Sequence, residues 1–280
     1  MAIGEQANLN LSQPMKDRIA LVTGGSRGIG AATATLLGRY GAMVAVNYYR
    51  NEAAAQQVVA AIKEAGGQAL AVQADVANAE QVESMVQTVS KAFGLIDTLI
   101  LNAPAAGSPA PDSTTLSAGE YLQAILAPFT GSRWEVLEAF VTGQLQSAYY
   151  LSQAIVPGMI KQHKGSIVFV SSTTARQPVA GGGGLTISVA KASVESLIKN
   201  MAEELGPHGI RVNAVSAGHI VTDLNAGTPQ EVREQMAQAT ALRRNGRPED
   251  VASPIVYLAS DQAAFITGAY LTVDGGKLLL

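Results

Sequence analysis

The chain contains no cysteine, which excludes disulfides, thiolate nucleophiles and cysteine-ligated metals together. Its three histidines, at 163, 208 and 219, show no ligand-like spacing, so no metal site is expected. Charge is scarce as well. Only 15% of residues are charged and the net charge is −3, which gives no electrostatic reason to expect nucleic acid or an anionic membrane surface. No apolar run approaches the ~18 residues that a membrane span needs. The start, "MAIGEQANLNLSQPMKDR", lacks the basic stretch and apolar core of a secretory signal. These absences lead to the expectation of a soluble, cytoplasmic protein acting on a small molecule.

What is present points to a well-buried α/β chain. With 280 residues and 48% hydrophobic content there is material for one large core. Short β-branched runs at 19–23, 43–47, 69–74, 97–101, 166–171, 210–216 and 270–274 alternate with amphipathic stretches. In one such stretch Val194, Leu197, Ile198, Met201 and Leu205 share a helix face. Apolar strands alternating with helices predict a Rossmann-type, doubly wound fold: a seven-stranded parallel sheet covered on both sides, in a single domain over 15–280. Two segments break the rhythm. Residues 1–14 read as a flexible arm, and residues 103–133 as a Pro/Gly/Ser/Thr-rich insertion after the fourth strand, at the edge where open α/β sheets bind ligands. Its Leu122, Ile125, Leu126 and Phe129 suit either a lid over an apolar acyl or aromatic substrate or a hairpin packed on itself.

The first strand runs into "TGGSRGIG", where Gly24, Gly28 and Gly30 let the backbone turn tightly against a pyrophosphate at a helix N-terminus. At the end of the second strand, "VAVNYYRN" offers no acid for a ribose but Arg50, and Arg27 lies within the glycine loop. Two guanidiniums without a carboxylate suit a 2′-phosphate, so NADP(H) is expected rather than NAD(H). Asp75 and Val76 follow the third strand, where they could hold an adenine, or where Asp75 could simply open a helix.

Together, "TGGSRGIG" (23–30), "ADV" (74–76), "LNA" (101–103), "GSIVFVSS" (165–172), "AKASVESL" (190–197), "GIRVNAVSAG" (209–218) and the long run 246–276 resemble the short-chain dehydrogenase/reductase superfamily, in its ketoacyl and enoyl reductase branch. The resemblance implies that Gly24, Ser26, Arg27, Gly28, Ile29 and Gly30 hold the pyrophosphate and Asp75 and Val76 the adenine. Asn102 and Ala103 would line the ribose side and Lys191 would bind the nicotinamide ribose. Gly218, Ile220 and Thr222 would contact the carboxamide and phosphate. It further implies a homotetramer or homodimer built through the long helices around 134–163 and 188–205.

The departures from that family are informative. Its Tyr-x-x-x-Lys motif would place a phenol at 187, and this chain has Ile187 there. The family's helical Asn falls around Val141 to Gln144, and no Asn is present. Ser172 survives at the end of the fifth strand. An isoleucine neither donates nor accepts a proton, and loss of a positioned general acid costs about 10²–10⁴-fold in rate. Reduction of an enoyl C=C is therefore favoured slightly over C=O, with Ser172 or Ser188 stabilising an enolate oxygen. Alternatives are a carbonyl or ketoacyl reductase with a displaced donor (His219, Tyr121, Tyr149 or Tyr150) and a cofactor-binding, redox-silent protein repurposed as a cyclase or regulator.

Overall fold

A computed structural model describes residues 12–103, 118–178, 182–225 and 227–278. Its seven strands are β1 Ile19–Val22, β2 Met43–Tyr48, β3 Gln68–Gln73, β4 Thr98–Leu101, β5 Gly165–Ser172, β6 Ile210–Ala217 and β7 Tyr270–Val273. Each boundary lies within one residue of the position expected from sequence. All pairings are parallel, and the order is β3-β2-β1-β4-β5-β6-β7. The order reverses between β1 and β4, and this switch point opens a crevice beyond the carboxyl ends of the strands.

The helices are α1 Gly28–Arg39, α2 Glu52–Glu64, α3 Ala79–Phe93, α4 Ala118–Ile125, α5 Trp134–Gln162, α6 Leu185–Leu205, α7 Gln230–Gln238 and α8 Pro248–Ala259. Helices α1, α2 and α8 cover one face of the sheet, burying Leu37, Ile62 and Ile255. Helices α3, α5 and α6 cover the other with Met85, Leu151 and Ile198. The expected stripe on α6 is found: Val194, Ile198 and Leu205 are buried, and Leu197 and Met201 pack against them. Strands covered on both faces need apolar side chains in both directions, which is why β1 reads IALV and β4 carries Leu99, Ile100 and Leu101 in a row. Among the described residues no helix is long and apolar enough to cross a membrane.

A third apolar cluster sits apart from these two. Ile125 at the end of α4, Val136 and Phe140 on α5 and Ala190 on α6 form it, with Ala124, Val141 and Ile187 packed against it. Residues 1–11 of the expected arm and 104–117 of the expected insertion lie outside the described residues, as do the side chains of Tyr121 and Leu122.

Candidate active site

At the switch point the loop between β1 and α1 is held by side chains from both neighbouring strands. Thr23 Oγ1 accepts the backbone N–H groups of Asn102 and Ala103 at 3.0 and 3.1 Å. Asn102 Nδ2 donates back to the Thr23 and Gly24 carbonyls at 3.0 and 3.2 Å. From the other side Asn47 Oδ1 accepts from Gly24 N at 3.2 Å, while its Nδ2 donates to Ala74 O at 3.1 Å. Gly30 must be glycine, since a Cβ there would lie 2.2 Å from Gly24 O and 2.6 Å from Asn102 Nδ2. That missing side chain lets the start of α1 close on the loop.

The N-terminus of α1 is correspondingly bare. Its N-cap, Arg27, makes no side-chain cap, and the first turn carries no acid. Backbone N–H groups and a positive dipole end are thus left for an anion, over a cradle that a Cβ would fill. Arg27 and Arg50 are exposed and, among the described residues, pair with no carboxylate. Arg50 lies over the Tyr49 ring at 4.9 Å. The first carboxylate after β2 is Glu52, at the start of α2 and facing solvent. Thr222 meets the loop from the far side of the crevice, its Cγ2 3.3 Å from where a Gly28 Cβ would stand. Asp75 Oδ1 accepts from Ala77 N at 2.9 Å, and α3 is capped by Asn78, so Asp75 is not the helix cap. Val76 beside it is buried. The bare N-terminus of α1 and the glycine cradle fit the phosphates of a dinucleotide.

The second half of the site lies at the ends of β5 and β6. Lys191 Nζ donates to Gln144 Oε1 at 3.0 Å and to Val170 O at 2.9 Å. Burial pushes this ammonium down to about 8. Ser172, two residues beyond Val170, accepts at Oγ from Thr174 Oγ1 at 2.9 Å and from Thr174 N at 3.3 Å. Ile187 is one turn before Lys191 on α6 but turns into the third cluster. Ser188 is half-buried and makes no side-chain hydrogen bond among the described residues. His219 follows Gly218, whose N–H donates to Val273 O at 2.9 Å. The His219 Nε2 is buried without a partner among the described residues. Burial first, and then Lys277, lower its pKa, so the ring is uncharged at neutral pH. Ile220 is buried and bridges to Gly246. Of the tyrosines, Tyr149 is exposed and Tyr150 packs into the core under α5.

Three residues absent from the expected site shape it. Gln144 supplies an amide at the place where an Asn was sought, and its extra methylene carries the oxygen to Lys191. Asn47 was hidden because a strand-end Asn carries no spacing signal. Glu195 is buried on α6. Its carboxylate accepts from Ser171 Oγ at 3.2 Å and Arg176 Nε at 3.0 Å, tying the segment after Ser172 to the helix that carries Lys191.

Comparison with known proteins agrees with this geometry. A family model described as enoyl-(acyl carrier protein) reductase matches residues 24–277. An L-rhamnose 1-dehydrogenase (NAD(P)(+)) of a Sphingomonas species is 40% identical over 266 residues, covering 94% of this chain and 96% of that protein. A 3-oxoacyl-[acyl-carrier-protein] reductase of Synechocystis is 37% identical, covering 94% and 97%. The chain belongs to the short-chain dehydrogenase/reductase family. A solved short-chain dehydrogenase of Burkholderia cenocepacia, in complex with NADP, matches with a TM-score of 0.78 and 31% identity over 94% of this chain and 99% of that one. The single-domain fold and the parallel seven-stranded sheet are those of short-chain dehydrogenases/reductases. The expected preference for an enoyl C=C draws support from the family model's description but not from these curated relatives, which act at a ketoacyl carbonyl or a sugar hydroxyl by their names.

Proposed function

We propose that this protein is an NADP(H)-dependent oxidoreductase that interconverts C=O and CH–OH on a small, partly apolar molecule. The pairing of Lys191 with Gln144 and Val170 beside Ser172 carries this reading. A carbonyl oxygen placed there meets an ammonium, and Ser172 lies two residues beyond the Val170 carbonyl that holds it, so C=O chemistry does not require a phenol at Ile187. A reduced nicotinamide, when bound, supplies the hydride. The chain's own residues do the rest: the bare N-terminus of α1 and the two arginines, which pair with no carboxylate among the described residues, bind phosphates, and Ser172 orients the substrate oxygen. The C=C reading keeps one support, since an enolate oxygen needs only a hydrogen-bond donor. Assembly through α5 and α6 belongs to the same proposal, and Tyr149 and Val189 stand exposed on these helices.

The test is NADPH oxidation at 340 nm against matched ketones and enoyl thioesters, with the reverse reaction run on sugar and acyl alcohols. Turnover of a ketone or an alcohol supports the assignment. Turnover of enoyl substrates alone would replace it with C=C reduction, and dinucleotide binding without any turnover would remove the redox reading.

A further inference from the structure

An ammonium carries three N–H bonds. Lys191 directs two of them to Gln144 Oε1 and Val170 O, and the third has no acceptor among the described residues. Beside it lies a second idle donor. Gln144 is 6% exposed, and its Nε2 has no partner among the described residues. The amide is not free to turn over, because the flipped form would set its N–H groups against those of Lys191. Buried donors are nearly always satisfied, so the idle Gln144 Nε2, next to a half-buried ammonium with one N–H to spare, points to an oxygen on a ligand.

We propose that Lys191 is the proton donor of this site, its Nζ protonating the substrate oxygen as the carbonyl is reduced, with Gln144 as the positioning residue that holds the ammonium in place. This rests on the carbonyl reading given above. The balance is simple. Hydride from a reduced nicotinamide dinucleotide adds to the carbonyl carbon, and the C=O π pair moves to oxygen. One N–H bond of Lys191 breaks as the O–H bond forms. The neutral amine that remains regains its proton from solvent water.

The other candidates are less suited. Ile187 has no proton to give, and His219 is uncharged at neutral pH. An ammonium at about 8 holds its proton near neutrality yet releases it readily, as a general acid should. Few charges bear on it. On its own helix Glu195 is paired with Arg176, which follows β5, at 3.0 Å. From α5 comes the neutral Gln144, and from β5 a carbonyl and Ser172. Further along the sheet edge Lys277 acts on His219. Burial alone lowers the Lys191 pKa, so a charge placed at position 144 should dominate it.

The experiment compares wild type with Gln144→Glu and Gln144→Leu. Lysine side-chain ¹³C resonances of the ligand-free proteins are titrated, and Lys191→Met identifies the signal from residue 191. The pH dependence of ketone reduction at saturating NADPH is measured on the same three proteins. Gln144→Glu should raise the Lys191 titration by about 1–3 pH units, and Gln144→Leu should lower it. The alkaline fall in turnover should follow in each case. A fall that stays at one pH while the lysine titration moves would overturn Lys191 as donor and leave the carbonyl reading intact. A lysine that titrates at its ordinary value in wild type would do the same. If the resonance shifts as expected but no carbonyl is ever reduced, the carbonyl reading fails and the donor role fails with it.

Discussion

Among single residues, Lys191 bears the largest electrostatic penalty of those that shape the site. Its folded pKa of about 8 lies below the ordinary lysine value of 10.5, because the ammonium has left water. A cation with a lowered folded pKa loses its proton first in the folded state. Between about 8 and 10.5 the unfolded chain therefore binds more protons, and stability rises with pH across that window. Below it the folded protein carries the full penalty, on the order of 3 kcal/mol. Lys191→Met removes the titration but also strips Gln144 and Val170 of a donor, so its stability at any one pH mixes two effects. The difference between the two proteins is cleaner. From about pH 7 to about pH 10.5, urea unfolding of the ligand-free proteins should show wild type gaining roughly 3 kcal/mol on Lys191→Met. A gap that does not change with pH would mean that Lys191 is an ordinary, solvated lysine.

Among elements, the start of α6 explains both the isoleucine and the glycines before it. Ile187 packs with Ile125 of α4 and Phe140 of α5, partners 62 and 47 positions earlier in the chain. At that point a phenol would have to displace an apolar cluster, and overpacking a core by this amount costs about 1–3 kcal/mol. The glycine run serves the same junction. Gly183 has φ +82°, and a Cβ there would lie 2.6 Å from Leu126 O, just past α4. Gly182 has φ +88° but nothing within 4 Å. The two positions thus separate backbone strain from contact. Gly182→Ala should cost about 1 kcal/mol, the strain of a left-handed alanine. Gly183→Ala should cost distinctly more, because the backbone carbonyl it meets cannot swing aside. Denaturant midpoints of the two variants, with limited proteolysis near residues 126–131, provide the check. Equal losses without new cleavage would mean that the glycine run does not support α4.

For the whole molecule, the sheet was legible because its central strands are short apolar runs buried on both faces, and burial of that kind leaves a continuous signature. The stripe on α6 was legible for the same reason, since Val194, Ile198 and Leu205 repeat with the helix. The site was less so. Lys191 and Ser172 stood out through the family motif, but Gln144 was passed over because the motif asks for Asn, and what matters is where the amide oxygen ends up. Ile187 looked like a lost acid, although its packing partners are contributed by two other helices. Contacts of that range leave no local pattern. Dinucleotide binding spans the same distances. The loop after β1, Asn102 after β4 and Thr222 after β6 come from three parts of the chain and meet across one crevice, so a ligand held there should stabilise the molecule as a unit. NADP(H) should therefore raise the unfolding temperature more than NAD(H) at equal concentration, through Arg27 and Arg50. Charge-assisted hydrogen bonds contribute about 1.5–3 kcal/mol each. Replacing both arginines by alanine should then weaken NADP(H) by at least roughly 100-fold and NAD(H), which shares only the pyrophosphate beside Arg27, distinctly less. Thermal shifts over a concentration series of each dinucleotide measure this directly. An equal loss for both would place the arginines elsewhere than at a 2′-phosphate, and no loss for either would leave the phosphate to the N-terminus of α1 alone.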